Sequence, residues 1–148
     1  MKIVRRLQSL RHREHTATVE LIEALVECHR TRAYLPAGHA SVWALLVDRL
    51  KYSPAAASRR TAAMKFALRS PRVLELLRVH RTSLSALAKV VSLLEQGVDV
   101  DRLLDAIDGR STVEVESIAA SLRPRPKPVE RVRRVAVPRA SATVPLVS

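Results

Sequence analysis

Glycine is the residue that most limits what this chain can fold into, because it occurs only three times in 148 residues. Sandwiches and barrels of short β-strands need many tight turns, and such turns depend on glycine. Apolar residues nevertheless make up 47% of the chain, whereas aromatic residues make up only 3%. The core must therefore be built from leucine, valine, isoleucine and alanine, which are typical of packed helices. We predict an all-α fold.

The apolar periodicity and the helix-start signals predict about seven helices in a compact bundle over residues 1–122. The first is an amphipathic helix at 14–33, which directs the thiol of Cys28 inward. Trp43, the only tryptophan, is expected to anchor the core. Later helices are expected to begin at residues that favour helix N-termini: Ser41, Ser53-Pro54, Ser70-Pro71, Thr82 or Ser83, and Ser111 with Glu114.

Two of these expected helices form a pair that is similar to a helix-turn-helix. The first runs from 41 to 50 and the second from 54 to 69, with a tight turn between them. This outline is common to DNA-binding pairs and to helix pairs that bind nothing, so by itself it does not indicate a function.

The composition changes after residue 122. Residues 123–148 contain five of the eight prolines and seven basic residues, and their first six positions alternate base and proline. Proline at this spacing forbids a helix and favours an extended chain. We predict a disordered, basic, proline-rich tail following a helical domain at 1–122.

Redox and membrane signals are weak in this sequence. A single cysteine excludes an internal disulfide and a thiolate metal cluster. No apolar run approaches the roughly 18 residues of a membrane span. The basic first residues are not followed by the apolar segment of a secretory signal. We therefore expect a cytoplasmic protein that has no membrane partner.

The formal charge of +12 is distributed in blocks. Residues 1–13 contain five bases and no acid, and residues 51–81 contain eight bases and one acid. The segments 14–50 and 82–122 are net acidic. Such blocks indicate a polyanion partner or an interaction tail, although a solvated basic face remains the alternative.

The expected nucleic-acid site lies on the helix at 54–69. At helical spacing Ser58, Ala62, Lys65 and Arg69 share one outward face, with Arg59 at its border. Bases separated by small residues on such a face could neutralise the phosphates of DNA. The chain has no asparagine and only two glutamines, so base-specific contacts are less expected. The full set of candidate binding residues is Ser58, Arg59, Arg60, Lys65, Arg69 and Arg72, with Arg123, Arg125, Lys127, Arg131, Arg133 and Arg134 in the tail.

No pattern in the sequence indicates catalysis. There is no glycine-rich phosphate loop and no serine in the context of a nucleophile elbow. His12 and His15 have helical spacing for a metal, but a third ligand is lacking because Glu14 is directed elsewhere. We expect no catalytic residue, no metal and no cofactor, and hence no enzyme activity from this chain alone.

The order of segments resembles a helical region of unknown function that precedes the HNH nuclease domain in many bacterial HNH endonuclease-type proteins. The resemblance covers nearly everything before the tail. Its segments are VELIEAL (19–25), RTRAY (30–34), GHASVW (38–43), YSPAAASRR (52–60), PRVLE (71–75), SLSAL (83–87), GRSTVEVE (109–116) and LRP (122–124).

This resemblance implies a DNA-associated protein in which a later domain cleaves. An HNH centre uses histidines and an asparagine around a divalent metal, and this sequence contains no asparagine. We therefore expect a non-catalytic DNA-associated module, with a homo-oligomer or a nuclease partner in trans as further partners. Two alternatives stay open, namely a protein-interaction module that docks through residues 82–122 and a residual nuclease that uses other acids and histidines.

Overall fold

The structure is a computed structural model, and it describes residues 1–123. The expected tail lies outside the described residues apart from Arg123. Within the described part every regular element is an α-helix, which confirms the all-α prediction. The seven helices are α1 Lys2–Thr31, α2 Val42–Asp48, α3 Pro54–Arg69, α4 Arg72–Arg78, α5 Leu84–Glu95, α6 Val100–Ile107 and α7 Thr112–Leu122.

Side-chain caps define most of the helix starts. The hydroxyls of Ser41, Ser53 and Ser83 accept hydrogen bonds from backbone amides in the first turns of α2, α3 and α5, at 3.1 to 3.2 Å. Ser111 and Glu114 form the expected capping box on α7. The backbone N–H of Ser111 lowers the pKa of the Glu114 carboxyl. At Ser70-Pro71 the prediction is wrong in detail, because Pro71 precedes α4 and no side chain caps it.

Helix α1 is longer than the sequence pattern suggests. It begins at Lys2 rather than near residue 14, and it ends at Thr31, before Arg32 in a left-handed conformation. Only its second half packs on the bundle, through Val19, Ile22 and Leu25. The first half has no glycine or proline and is rich in good helix formers, so a helix that nucleates in the packed half extends through it.

Helix α3 lies at the centre of the bundle and contacts α1, α2, α4 and α5. Its buried residues span about 220° around its axis at about 100° per residue, so its neighbours enclose most of its circumference. Phe66, the only phenylalanine, is fully buried there. Trp43 was expected to anchor the core, but its side chain is 39% exposed, and its indole N–H donates to Ser58 on the outside of α3 at 3.2 Å.

The α2–α3 pair is present. A recognition helix must expose a side to enter a groove of DNA. Six residues of α3 are buried, whereas its Ser58 and Arg69 are exposed. None of the helices in residues 1–123 is long and apolar enough to cross a lipid bilayer.

Candidate nucleic-acid interface

The face of α3 that was expected to be outward is the floor of a groove. Ser58, Ala62 and Lys65 lie along one side of the helix, as their spacing predicts, and they line a cavity together with Trp43 and Val91. Because α2 and α5 flank this side, Ala62 is only 3% exposed. The prediction of an open basic face is therefore wrong at Ala62.

Four of the eight bases from residues 51–81 are paired with acids of the described part of the chain. The ammonium of Lys65 lies 2.8 Å from the Glu95 carboxylate on α5. The guanidinium of Arg72 donates to Asp105 on α6, and this hydrogen bond raises the pKa of Arg72. Similar pairs join Arg78 to Glu23 and Glu75, and Arg81 to Asp108. The net acidic helices thus neutralise much of the basic middle segment.

Three of the predicted bases on α3, namely Arg59, Arg60 and Arg69, form no ion pair in the described part of the chain. Arg69 is exposed and Arg59 is half-buried, and neither forms an ion pair with another described residue. Arg59 and Arg69 lie about 80° apart around α3 if each residue turns the helix by about 100°, as expected for Arg59 at the border of the predicted face. Within the predicted α3 site Lys65 is therefore paired with an acid, whereas Arg59 and Arg69 are not.

The guanidinium group of Arg60 contacts two nearby residues of the same chain, Tyr52 and Ala56. Its guanidinium carbon lies 4.4 Å from the ring centroid of Tyr52, a cation–π distance, and its Nη1 donates to the carbonyl of Ala56 at 3.1 Å. Its Nε is buried and has no hydrogen-bond partner among the described residues.

An exposed basic element that the site prediction did not include lies at the start of α1. Residues 2–13, which we name the α1 arm, are helical and every one of them is exposed. The arm contains no acid and five bases: Lys2, Arg5, Arg6, Arg11 and Arg13. The charge count of residues 1–13 contained this signal, but the helix was expected to begin only at residue 14.

The arm also has an apolar side. Ile3, Leu7 and Leu10 recur at helical spacing and are 44 to 61% exposed. Lys2, Arg5, Arg6 and Arg13 fall within about 100° of one another on another side of the same helix. The α1 arm is thus an amphipathic basic helix, and none of its residues is buried in the described part of the molecule.

A polar pocket lies at the base of the arm, where α1 meets α3 and the turn between α4 and α5. We name it the Thr82 pocket; its volume is about 260 Å³, and its lining includes Arg11, Glu14, His15, Arg60, His80 and Thr82. The rings of His15 and His80 stack with centroids 4.0 Å apart. His15 Nε2 lies 2.7 Å from the carbonyl oxygen of Leu77, so this nitrogen carries the proton and donates it.

Metal-binding side chains do not cluster within residues 1–123, where no three histidine, cysteine or carboxylate side chains come together. His15 contacts Leu77 and His80 instead of pairing with His12 around an ion. Of the predicted tail residues only Arg123 is described, and it is exposed. Arg125, Lys127, Arg131, Arg133 and Arg134 lie outside the described residues.

Comparison with known proteins finds no relative of this chain. No protein-family model, no curated protein and no solved structure matches the chain.

Proposed function

We propose that this chain is a helical, non-catalytic module that associates with DNA, mainly through phosphate contacts, and that the α1 arm is its principal contact surface. The observation that carries the proposal is the arm itself, with five exposed bases and no acid on one continuous helix. Bases that are not paired within the protein can neutralise phosphates and release the ions condensed on DNA.

The dimensions of the arm suit a phosphate backbone. Twelve helical residues span about 18 Å at about 1.5 Å each, and phosphates along one strand are about 3.4 Å apart. The arm can therefore lie beside several consecutive phosphates. Arg59, Arg69 and Arg123 are secondary contacts in this proposal, whereas Lys65 and Arg72 contribute less because they are occupied by Glu95 and Asp105.

The resemblance to the helical region of bacterial HNH endonuclease-type proteins supports the same reading. The sequence contains no asparagine for an HNH centre, so cleavage would require a nuclease partner in trans. A DNA-associated module of this kind would work in the bacterial cytoplasm. Its sequence preference would be slight, because phosphate contacts do not distinguish bases.

The test compares three double variants of the full chain that each remove two positive charges. Arg5→Gln/Arg6→Gln changes the arm, Arg59→Gln/Arg69→Gln changes α3, and Arg30→Gln/Arg102→Gln is the control on exposed sites elsewhere. Fluorescence polarisation with a labelled duplex is measured over a series of salt concentrations. We expect the arm variant to lose most affinity, and its logarithmic salt slope to fall by up to about 2, near 0.9 per lost phosphate contact.

Two outcomes would contradict this proposal. If the arm variant binds as tightly as the control, the arm is not the contact surface. If the native chain binds no duplex at low salt, the DNA association itself is refuted.

A second candidate function is protein interaction, and it is favoured by the exposed apolar side of the arm. An amphipathic basic helix also suits a partner that offers an apolar groove with an acidic rim. We place this alternative on the arm rather than on residues 82–122, because Glu95, Asp105 and Asp108 are engaged with bases of the same chain. A stable oligomer in light scattering that is abolished by Leu7→Gln, without any duplex binding, would favour it.

A further inference from the structure

The Thr82 pocket contains polar groups that lack partners within the described protein. Thr82 is only 8% exposed, and its hydroxyl oxygen has no hydrogen-bond partner among the described residues. Arg60 also lines the pocket, and its Nε is buried and has no hydrogen-bond partner among the described residues. Buried polar groups normally have partners, because leaving one unpaired costs free energy. The Nε–H of Arg60 can only donate, and the hydroxyl of Thr82 can donate or accept, so one acceptor can satisfy both groups.

The electrostatic environment of the pocket favours an anion as that acceptor. Arg11 and Arg60 supply two permanent positive charges, and Glu14 supplies the one carboxylate among the lining residues. The pocket also adjoins the N-terminus of α5 through Ser83 and Leu84. Backbone N–H groups of a first helical turn and the helix dipole both favour negative charge.

The guanidinium of Arg60 is positioned before any ligand arrives. Stacking on Tyr52 and the hydrogen bond from Nη1 to Ala56 fix the plane of the group. Little conformational freedom remains to be lost on binding, and such preorganisation favours affinity. Among the other lining residues, His15 is fixed by Leu77 and stacks on His80.

The size of the pocket limits what it can hold. Its volume of about 260 Å³ lies just below the range of about 300 to 1,000 Å³ that is typical of pockets for drug-sized ligands. It suits a single small group with several acceptor oxygens. Phosphate has this chemistry, and arginine and threonine donors are its usual partners.

We propose that the Thr82 pocket is a binding site for one phosphate group, held by the Arg60 Nε–H and the Thr82 hydroxyl, with Arg11 and the first turn of α5 supplying positive potential. The group could belong to a DNA backbone that lies along the α1 arm, or to a free phosphate or small phosphoester. The site does not depend on the contacts made by Arg5 and Arg6, so this inference and the proposed function can fail separately.

The experiment follows the side-chain resonances of His15 and His80 by NMR while the full chain is titrated with inorganic phosphate. Chloride at matched ionic strength and pH is the control for general screening. We expect saturable shifts with phosphate and none with chloride. Thr82→Val keeps the shape of the side chain but removes the hydroxyl, and we expect it to weaken phosphate binding about tenfold, as does Arg60→Met. Arg102→Met, at an exposed site outside the pocket, is the matched control and should bind as the native chain does.

The source of the phosphate is resolved by measuring duplex binding with the same variants. If Arg60→Met weakens both phosphate and duplex binding, the pocket takes a backbone phosphate. If it weakens phosphate binding alone, the pocket takes a free phosphate group. Non-saturating shifts, or native phosphate affinity in a folded Thr82→Val variant, would overturn the proposal whatever the duplex result.

Discussion

At the scale of single residues, the turn after α6 depends on Gly109. Its φ is +72°, its N–H donates to the carbonyl of Arg81 at 2.8 Å, and an added Cβ would lie 2.7 Å from Nη2 of Arg81. A left-handed conformation costs a residue with a Cβ about 1 to 2 kcal/mol. Arg81 must also shift, although its distal guanidinium can move more easily than backbone.

We therefore expect Gly109→Ala to lower the free energy of unfolding by about 1 to 2 kcal/mol, with a small additional loss from Arg81. Gly38→Ala is the control, because Gly38 also has a positive φ but nothing lies within 4 Å of an added Cβ. Urea denaturation of both variants measures the difference. A smaller loss in Gly109→Ala than in Gly38→Ala would contradict the contact with Arg81.

Residue-level expectations are accurate where the cause is local. Ser53 and Ser111 cap helices as expected, because a cap depends on a few neighbouring residues. The burial of Ala62 and the exposure of Trp43 could not be read from the same pattern. Both depend on where α2 and α5 pack against α3, which is a property of the tertiary structure.

At the scale of elements, α1 combines a packed half with an unsupported half. Isolated helices shorter than about 12 to 15 residues are marginal in water, so the α1 arm relies on the anchored turns that follow it. Its start was missed in the sequence because no side chain caps the helix at Met1 and no acid lies in its first turn. The usual start signals are absent there.

We expect Gln8→Pro to disrupt the arm without disturbing the bundle. Proline removes a helical hydrogen bond and costs about 3 kcal/mol or more within a helix, yet residues 2–13 are exposed and contribute nothing to the core. Circular dichroism should show lost helix with an unchanged midpoint of thermal unfolding, and duplex affinity should fall. Gln8→Ala is the control that keeps the helix. A large fall in the midpoint would mean that the arm packs against the bundle.

At the scale of the whole molecule, stability depends on the apolar environment of α3. Phe66 is fully buried at the centre, and truncating such a side chain to alanine typically costs about 3 to 5 kcal/mol. We expect Phe66→Ala to be severely destabilised in guanidinium denaturation, and Trp43→Ala to lose much less because its ring lies at the surface. Equal losses would contradict the assignment of Phe66, rather than Trp43, to the centre of the core.

The number and type of helices followed from composition and periodicity, because an abundance of leucine and alanine with little glycine leaves few other folds. The candidate site did not follow in the same way. Helical spacing correctly aligned Ser58, Ala62 and Lys65, but it could not show that Glu95 and Asp105 lie opposite the bases of α3 and α4. Charge pairing between distant segments is set by how the helices pack.

The segregation of charge between the arm and the bundle gives the described part of the molecule an electric dipole moment. Residues 14–122 carry nearly equal numbers of acidic and basic side chains, whereas residues 1–13 carry five bases alone. The N-terminal end of a helix is the positive pole of its macrodipole, so in α1 this pole and the side-chain charge of the arm have the same sign. In the field of a polyanion the protein would experience a torque that turns the α1 arm toward the polyanion. The two molecules would then already be oriented when they meet.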